Sequence, residues 1–269
     1  MEVVIYPDAE RVARHGAGLV EAMLGVKPAA VLGFATGRTP IALYRQLIGR
    51  HREGALSFAR VTSFNLDEYL GIAPGNPQSY RAYMDREFFE HVDIDRANTH
   101  LPVCPADTDP QRVGPRYEAL IQDAGGIDLQ ILGIGQNGHI GFNEPSSSLA
   151  SRTRVKTLTP RTLEDNSRLF EQGEFQPRLA ITMGIGTIMD ARRILLMATG
   201  GNKAEAVANM VEGPVSAMCP ASILQMHESV TVLIDEPAAA QLKNRDYYER
   251  AHRENRALQE RFGEFYAER

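Results

Sequence analysis

The chain has 269 residues, 43% hydrophobic and 23% charged, a balance and length that suit one α/β domain with a substantial core. Its net charge of -5 and pI of about 5.8 disfavour nucleic acid as a partner, because an acidic surface repels phosphate backbones. No run reaches the roughly 18 apolar residues of a membrane span, Met1–Asp8 lacks the pattern of a signal peptide, and Cys104 and Cys219 read as free thiols outside any metal-ligand spacing, so a cytoplasmic, metal-free protein is expected.

Strands and helices alternate along the chain, which predicts a mainly parallel sheet covered on both faces. Val3–Tyr6 reads as a strand, and Asp8 caps a helix to about Leu24. Ala29–Ala35 is an apolar run without helical period, hence a buried strand. Thr39 and Pro40 suit an N-cap and first helical residue, opening a helix to about Arg50. Val61–Leu66 reads as a strand and Ser79–Glu90 as a helix with aromatics on one face. His91–Pro110 reads as loop with a short strand, and Arg112–Ala124 as a helix ended by Gly125 and Gly126. Asp128–Ile134 is a strongly apolar strand. A mobile flap is expected within about 145–180, which is polar. Strands follow at Leu179–Met183, Arg193–Ala198 and Val230–Ile234, with helices over Lys203–Val211 and from Asp246 onward. No repeat or linker divides the chain, so a single domain over 1–269 is expected.

Ligands of open α/β sheets bind outside the carboxyl ends of the strands, and three unusual segments fall there. Gly33-Phe-Ala-Thr36-Gly37-Arg38-Thr39-Pro40 is a strand-to-helix turn. Gly37 permits close backbone approach, and the helix start favours an anion. The turn is neither a Walker A loop nor a dinucleotide fingerprint, and an ordinary capped turn remains an alternative. Phe64-Asn-Leu-Asp67-Glu68-Tyr69 places two adjacent carboxylates at a strand end, pointing to opposite faces. One can serve as a general base and the other make a structural contact, or both can be surface residues. Gly133-Ile-Gly-Gln-Asn137-Gly-His139-Ile-Gly-Phe-Asn-Glu144-Pro has four glycines in nine residues. Its histidine and carboxylate suit a base with an orienting partner. Arg168 and Lys203 are available cations.

Together with the run Ser-Ser-Leu-Ala-Ser-Arg-Thr-Arg154-Val-Lys156-Thr-Leu, these motifs resemble those of glucosamine-6-phosphate deaminases, in order and over nearly the whole chain. The resemblance implies the three-layer α/β sandwich of the sugar-phosphate deaminase and isomerase superfamily. It implies conversion of glucosamine 6-phosphate and water to fructose 6-phosphate and ammonia, without a cofactor or metal. Asp67 would move a proton between C2 and C1. His139 would act in ring opening, assisted by Asn137 and Glu144. Thr36, Gly37, Arg38, Thr39, Arg168 and Lys203 would hold the phosphate. Ser147, Ser148, Arg154 and Lys156 would bind an acetylated amino-sugar phosphate effector in a homo-oligomer, with a hexamer expected. Two positions depart from the family pattern: Asn137 stands where many members have Asp, and Arg38 where Gly or Ser is usual. An amide can orient His139 but supplies no negative charge.

Two other protein classes match part of this pattern. A 6-phosphogluconolactonase, or an isomerase of another amino-sugar phosphate, would share the fold and the turn but not the full Asn137–Glu144 segment. A sugar-phosphate sensor module would need a DNA-binding unit, and none precedes Val3.

Overall fold

A computed structural model of the chain describes residues 1–73, 75–104, 107–159 and 176–262. Its elements begin β1 (Glu2–Tyr6), α1 (Ala9–Val26), β2 (Val31–Phe34), α2 (Arg38–Arg52), β3 (Thr62–Asn65), β4 (Asp67–Tyr69) and α3 (Tyr80–Glu87). They continue with β5 (Thr99–His100), α4 (Pro110–Asp123), β6 (Leu129–Leu132), β7 (Arg154–Thr157) and β8 (Leu179–Thr182). The described chain closes with α5 (Ile185–Met189), β9 (Arg193–Ala198), α6 (Ala204–Glu212), β10 (Val230–Asp235) and α7 (Arg245–Phe262).

Seven strands form a parallel sheet in the order β1-β10-β9-β6-β2-β3-β5. Successive strand residues point to opposite faces, so each strand feeds two cores. Ile194, Leu196, Val232 and Ile234 pack with Tyr117 of α4, Ile188 of α5 and Val207 and Met210 of α6. Leu195, Met197 and Leu233 face the other way, onto Val12 and Val20 of α1, Leu43, Tyr44 and Leu47 of α2, and Met84 of α3. This is the expected three-layer arrangement.

Helix starts follow local chemistry. Asp8, Ser79 and Asp109 cap α1, α3 and α4 by accepting from Arg11 N, Ala82 N and Gln111 N. Helix α2 differs. Its N-cap is Gly37 at φ 103°, and no side chain caps it. The expected start at Thr39 is therefore two residues late. Glycine's freedom at positive φ turns the chain straight from β2 into the helix.

The expected strand Val61–Leu66 is also corrected. Beyond Asn65 the chain leaves the parallel sheet. Leu66 N donates to Phe34 O of the large sheet, and Leu66 O accepts from Met183 N beside the small one. Residue 66 is thus the corner between them. The small sheet is antiparallel, ordered β4-β8-β7. Strand β7 lies where a flap was expected and helix α5 was not anticipated, while residues 160–175 of the flap lie outside the described residues.

Candidate active site

A cleft of about 300 Å³ opens at the carboxyl ends of β2, β3 and β6. Ala35–Pro40, Leu66, Tyr80, Gly133–Asn137, His139, Gly141, Phe142, Thr159 and Lys203 line it. It brings together Thr36, Gly37, Arg38, Thr39, Asn137, His139 and Lys203 of the expected site. Arg168 lies outside the described residues.

One end of the cleft suits an anion. The first N–H groups of a helix have no partner within it, and here no side chain of the described residues takes them. The carbonyls of the same turn are already bound: Tyr44 Oη donates to Ala35 O at 2.5 Å, and Tyr83 Oη to Gly37 O at 2.6 Å. Lys203 stands at the start of a second helix with no side-chain cap, α6, and donates to Ile134 O at 2.7 Å. Arg38 lies in the first turn of α2. One helix start and two cations thus line one space.

The glycine-rich segment holds a hydrogen-bonded chain. Asn137 Nδ2 donates to Glu144 Oε2 at 2.7 Å. That bond orients the amide, because a carboxylate only accepts. Asn137 Oδ1 then faces His139 Nδ1 at 2.7 Å, so Nδ1 must carry the proton and Nε2 the lone pair. Glu144 is 4% exposed, lies 3.4 Å from His139 Nδ1 and also accepts from Thr159 Oγ1. It stands behind Asn137 rather than on the cleft wall. The glycines are required by close approach. A Cβ at Gly135 would lie 2.2 Å from the His139 ring, and one at Gly138, where φ is 82°, 2.6 Å from Cys219 Sγ.

The adjacent carboxylates Asp67 and Glu68 divide as the alternation of a strand demands. Glu68 is spent on structure: it accepts from the N–H groups of Tyr69, Tyr80 and Arg81, two of them at the start of α3. Asp67 is 5% exposed, and its carboxylate has no hydrogen-bond partner among the described residues. Burial, and then the neighbouring charge of Glu68, push it from the ordinary 3.8 up to about 8. It sits just behind the wall at Gly141, where a Cβ would lie 3.5 Å from Asp67 Oδ2. Among the described residues no group of three or more His, Cys, Asp or Glu side chains could hold a metal ion.

Tyr80 was not singled out from sequence. Its ring lines the cleft, stacks on Phe142 at a 6.0 Å centroid distance and donates to Tyr69 Oη at 3.2 Å. Its place directly after the capping Ser79 was the available signal. The four residues expected to bind an effector lie beyond the glycine-rich loop. Arg154 and Lys156 share a face of β7, as residues two apart on a strand must. The Ser147 hydroxyl is buried without a hydrogen-bond partner among the described residues, and Ser148 Oγ accepts from Ala150 N. The half-buried Arg154 points into the fold, donating to Asn143 Oδ1 at 2.9 Å and Arg152 O at 3.3 Å.

A helix start with two cations, beside an imidazole and a proton-affine buried carboxylate, suits proton transfer on a small anionic substrate. Residues 8–233 match the family described as glucosamine-6-phosphate isomerases/6-phosphogluconolactonase, and the chain belongs to that family. It is 56% identical over 263 residues to the glucosamine-6-phosphate deaminase of Colwellia psychrerythraea, covering 98% of each. It is 59% identical over 248 residues to that of Hahella chejuensis, covering 92% of this chain and 94% of the relative. The solved structure of a monomeric glucosamine-6-phosphate deaminase matches with a TM-score of 0.86 and 45% identity, over 90% of this chain and 100% of that one. The 6-phosphogluconolactonase of Leishmania guyanensis shares the fold alone, at 19% identity and a TM-score of 0.70, over 88% of this chain and 97% of that one.

Proposed function

We propose that this chain converts glucosamine 6-phosphate and water to fructose 6-phosphate and ammonia. The observation that carries the reading is the buried carboxylate of Asp67, without a hydrogen-bond partner among the described residues, beside a cleft that also holds His139 and the start of α2. Phosphate at the first turn of α2, with Lys203 and Arg38, would anchor the substrate far from the reacting carbons and supply orientation energy. His139 Nε2 would take the anomeric hydroxyl proton and return it to the ring oxygen. Asp67 would move a proton from C2 to C1, and water would then hydrolyse the C2 iminium. The Asn137–Glu144 pair would hold the imidazole. No step calls on a cofactor.

The test is ammonia and ketose release from glucosamine 6-phosphate, with hydrolysis of 6-phosphogluconolactone measured in parallel. Lactone hydrolysis without ammonia release would transfer the chain to the lactonase branch. Lys203→Met is expected to raise KM about 10-fold with kcat little changed, since a charge-assisted hydrogen bond is worth roughly 1.5–3 kcal/mol. An unchanged KM, with unchanged inhibition by inorganic phosphate, would remove Lys203 from the phosphate site.

The hexamer and its effector site rest on the resemblance, and the monomeric relative weighs against the hexamer. Sedimentation at a mass of one chain would exclude an intersubunit effector site. A cytoplasmic setting is proposed on the two free cysteines, and no described helix is long and apolar enough to cross a membrane.

A further inference from the structure

Register places three side chains in one row across the small sheet. Asp67 of β4 pairs with Thr182 of β8, and Thr182 pairs with Arg154 of β7. Directly opposed residues point to the same face, so the buried carboxylate and the guanidinium lie on one face, two strands or about 10 Å apart. The catalytic loop crosses that face. Phe142 N donates to Thr182 Oγ1 at 3.1 Å. A Cβ at Gly141 would lie 3.0 Å from Thr182 Oγ1 and 3.5 Å from Asp67 Oδ2. Asn143 is fully buried, and its Nδ2 donates to Ile140 O at 2.9 Å and Met183 O at 2.8 Å. The acceptor side of that amide is taken by Arg154 Nη1.

We infer that Arg154 is a positioning residue for the deamination reaction, clamping Asn143 so that the loop from Ile140 to Asn143 is held against Asp67. The inference rests on the deaminase reading. Asn143 ties the loop to the end of β8 with its donors, and Arg154 supplies the donor for the remaining amide oxygen. Without the guanidinium, Asn143 Oδ1 is a buried acceptor with no partner, a costly state that the loop relieves by shifting. A shift of the loop by about 1 Å changes the fit of the reacting carbons over Asp67 and costs up to about 10² in rate. The phosphate cradle at α2 and α6 belongs to other elements, so ground-state binding is spared.

Arg154→Met, Arg154→Gln and Arg154→Lys in the full chain test this by steady-state kinetics on glucosamine 6-phosphate, with melting temperature measured beside them. Methionine offers no donor, and the glutamine amide ends two bonds short of Nη1. Both variants are expected to lose about 10-fold or more in kcat with KM within about 2-fold of wild type. Lysine keeps one donor for Asn143 Oδ1 and should recover most of kcat. Should the methionine variant fail to fold, the glutamine and lysine pair carries the same comparison. A lowered melting temperature with kcat unchanged below it would overturn the inference in favour of a merely structural contact. Unchanged kcat at saturating substrate, with only a response to N-acetylglucosamine 6-phosphate lost, would overturn it in favour of an effector ligand. Absence of ammonia release by the wild-type chain would instead defeat the functional reading, so the two failures are distinguishable.

Discussion

Asp67→Asn is expected to lower kcat by about 10² or more, the scale of lost general-base catalysis, while raising the melting temperature at pH 8. The two effects share one cause. Burial pushes the Asp67 carboxyl from 3.8 to about 8, so the folded chain keeps a proton that the unfolded chain releases. Stability from this group is full below about pH 4 and declines as pH rises to about 8, where the charged form must be buried. Asparagine has the same shape and no charge to bury. Its stability gain over wild type should therefore be near zero at pH 4 and largest above pH 8, at about 2–4 °C for each kcal/mol in a chain of this size. The base must be ionised to act, so kcat/KM of the wild-type enzyme should climb with pH to a plateau above about 8. A substrate ammonium beside Asp67 would favour the charged form, placing the acid limb of kcat below that of kcat/KM. Near-wild-type turnover of Asp67→Asn would remove the residue from its role. A variant with the same gain at every pH would show that burial of charge is not the penalty.

Loss of the His139 imidazole is expected to cost about 10² on the closed pyranose and much less on an open-chain analogue. The hydrogen-bond chain makes Nε2 the acceptor on the cleft side, which suits a group that takes the anomeric proton and hands it to the ring oxygen. An analogue that needs no ring opening bypasses that step and leaves Asp67 to act. Gly135→Ala provides a second route to the same state. Its Cβ would lie 2.2 Å from the imidazole and must displace it, so the variant should reproduce the substrate dependence of His139→Ala. Equal losses on the closed and open substrates would refute this division of labour.

The local features of the site were legible because short-range chemistry decides them. Asn137, His139 and Glu144 lie within eight residues, and the glycines among them announce close packing. The turn at Thr36–Pro40 is likewise a local signal, although its helix begins at Arg38 because Gly37 takes a positive φ. Asp8 was readable as a cap for the same reason, since a capping side chain needs only the backbone of the next three residues.

What tertiary structure alone decided are contacts between residues far apart in the chain. Asp67 and Glu68 are chemically equivalent in sequence. Glu68 becomes structural because α3 brings the N–H groups of Tyr80 and Arg81 to it, and Asp67 acquires its proton affinity from what covers it. Strand β4 (Asp67–Tyr69), directly after the apolar run, had no local signature because its partner is β8, more than a hundred residues later, and no local period records that pairing. Arg154 stands in the sequence as an effector ligand, on the resemblance alone. Only the register of β7 on β8 turns it toward Asn143 and sets it in one row with Asp67. Sequence by itself determined the residue types and local turns from which the site is made. Long-range strand pairing determined which carboxylate is free and which cation faces inward, because burial and electrostatic environment belong to the packed chain and not to the residue.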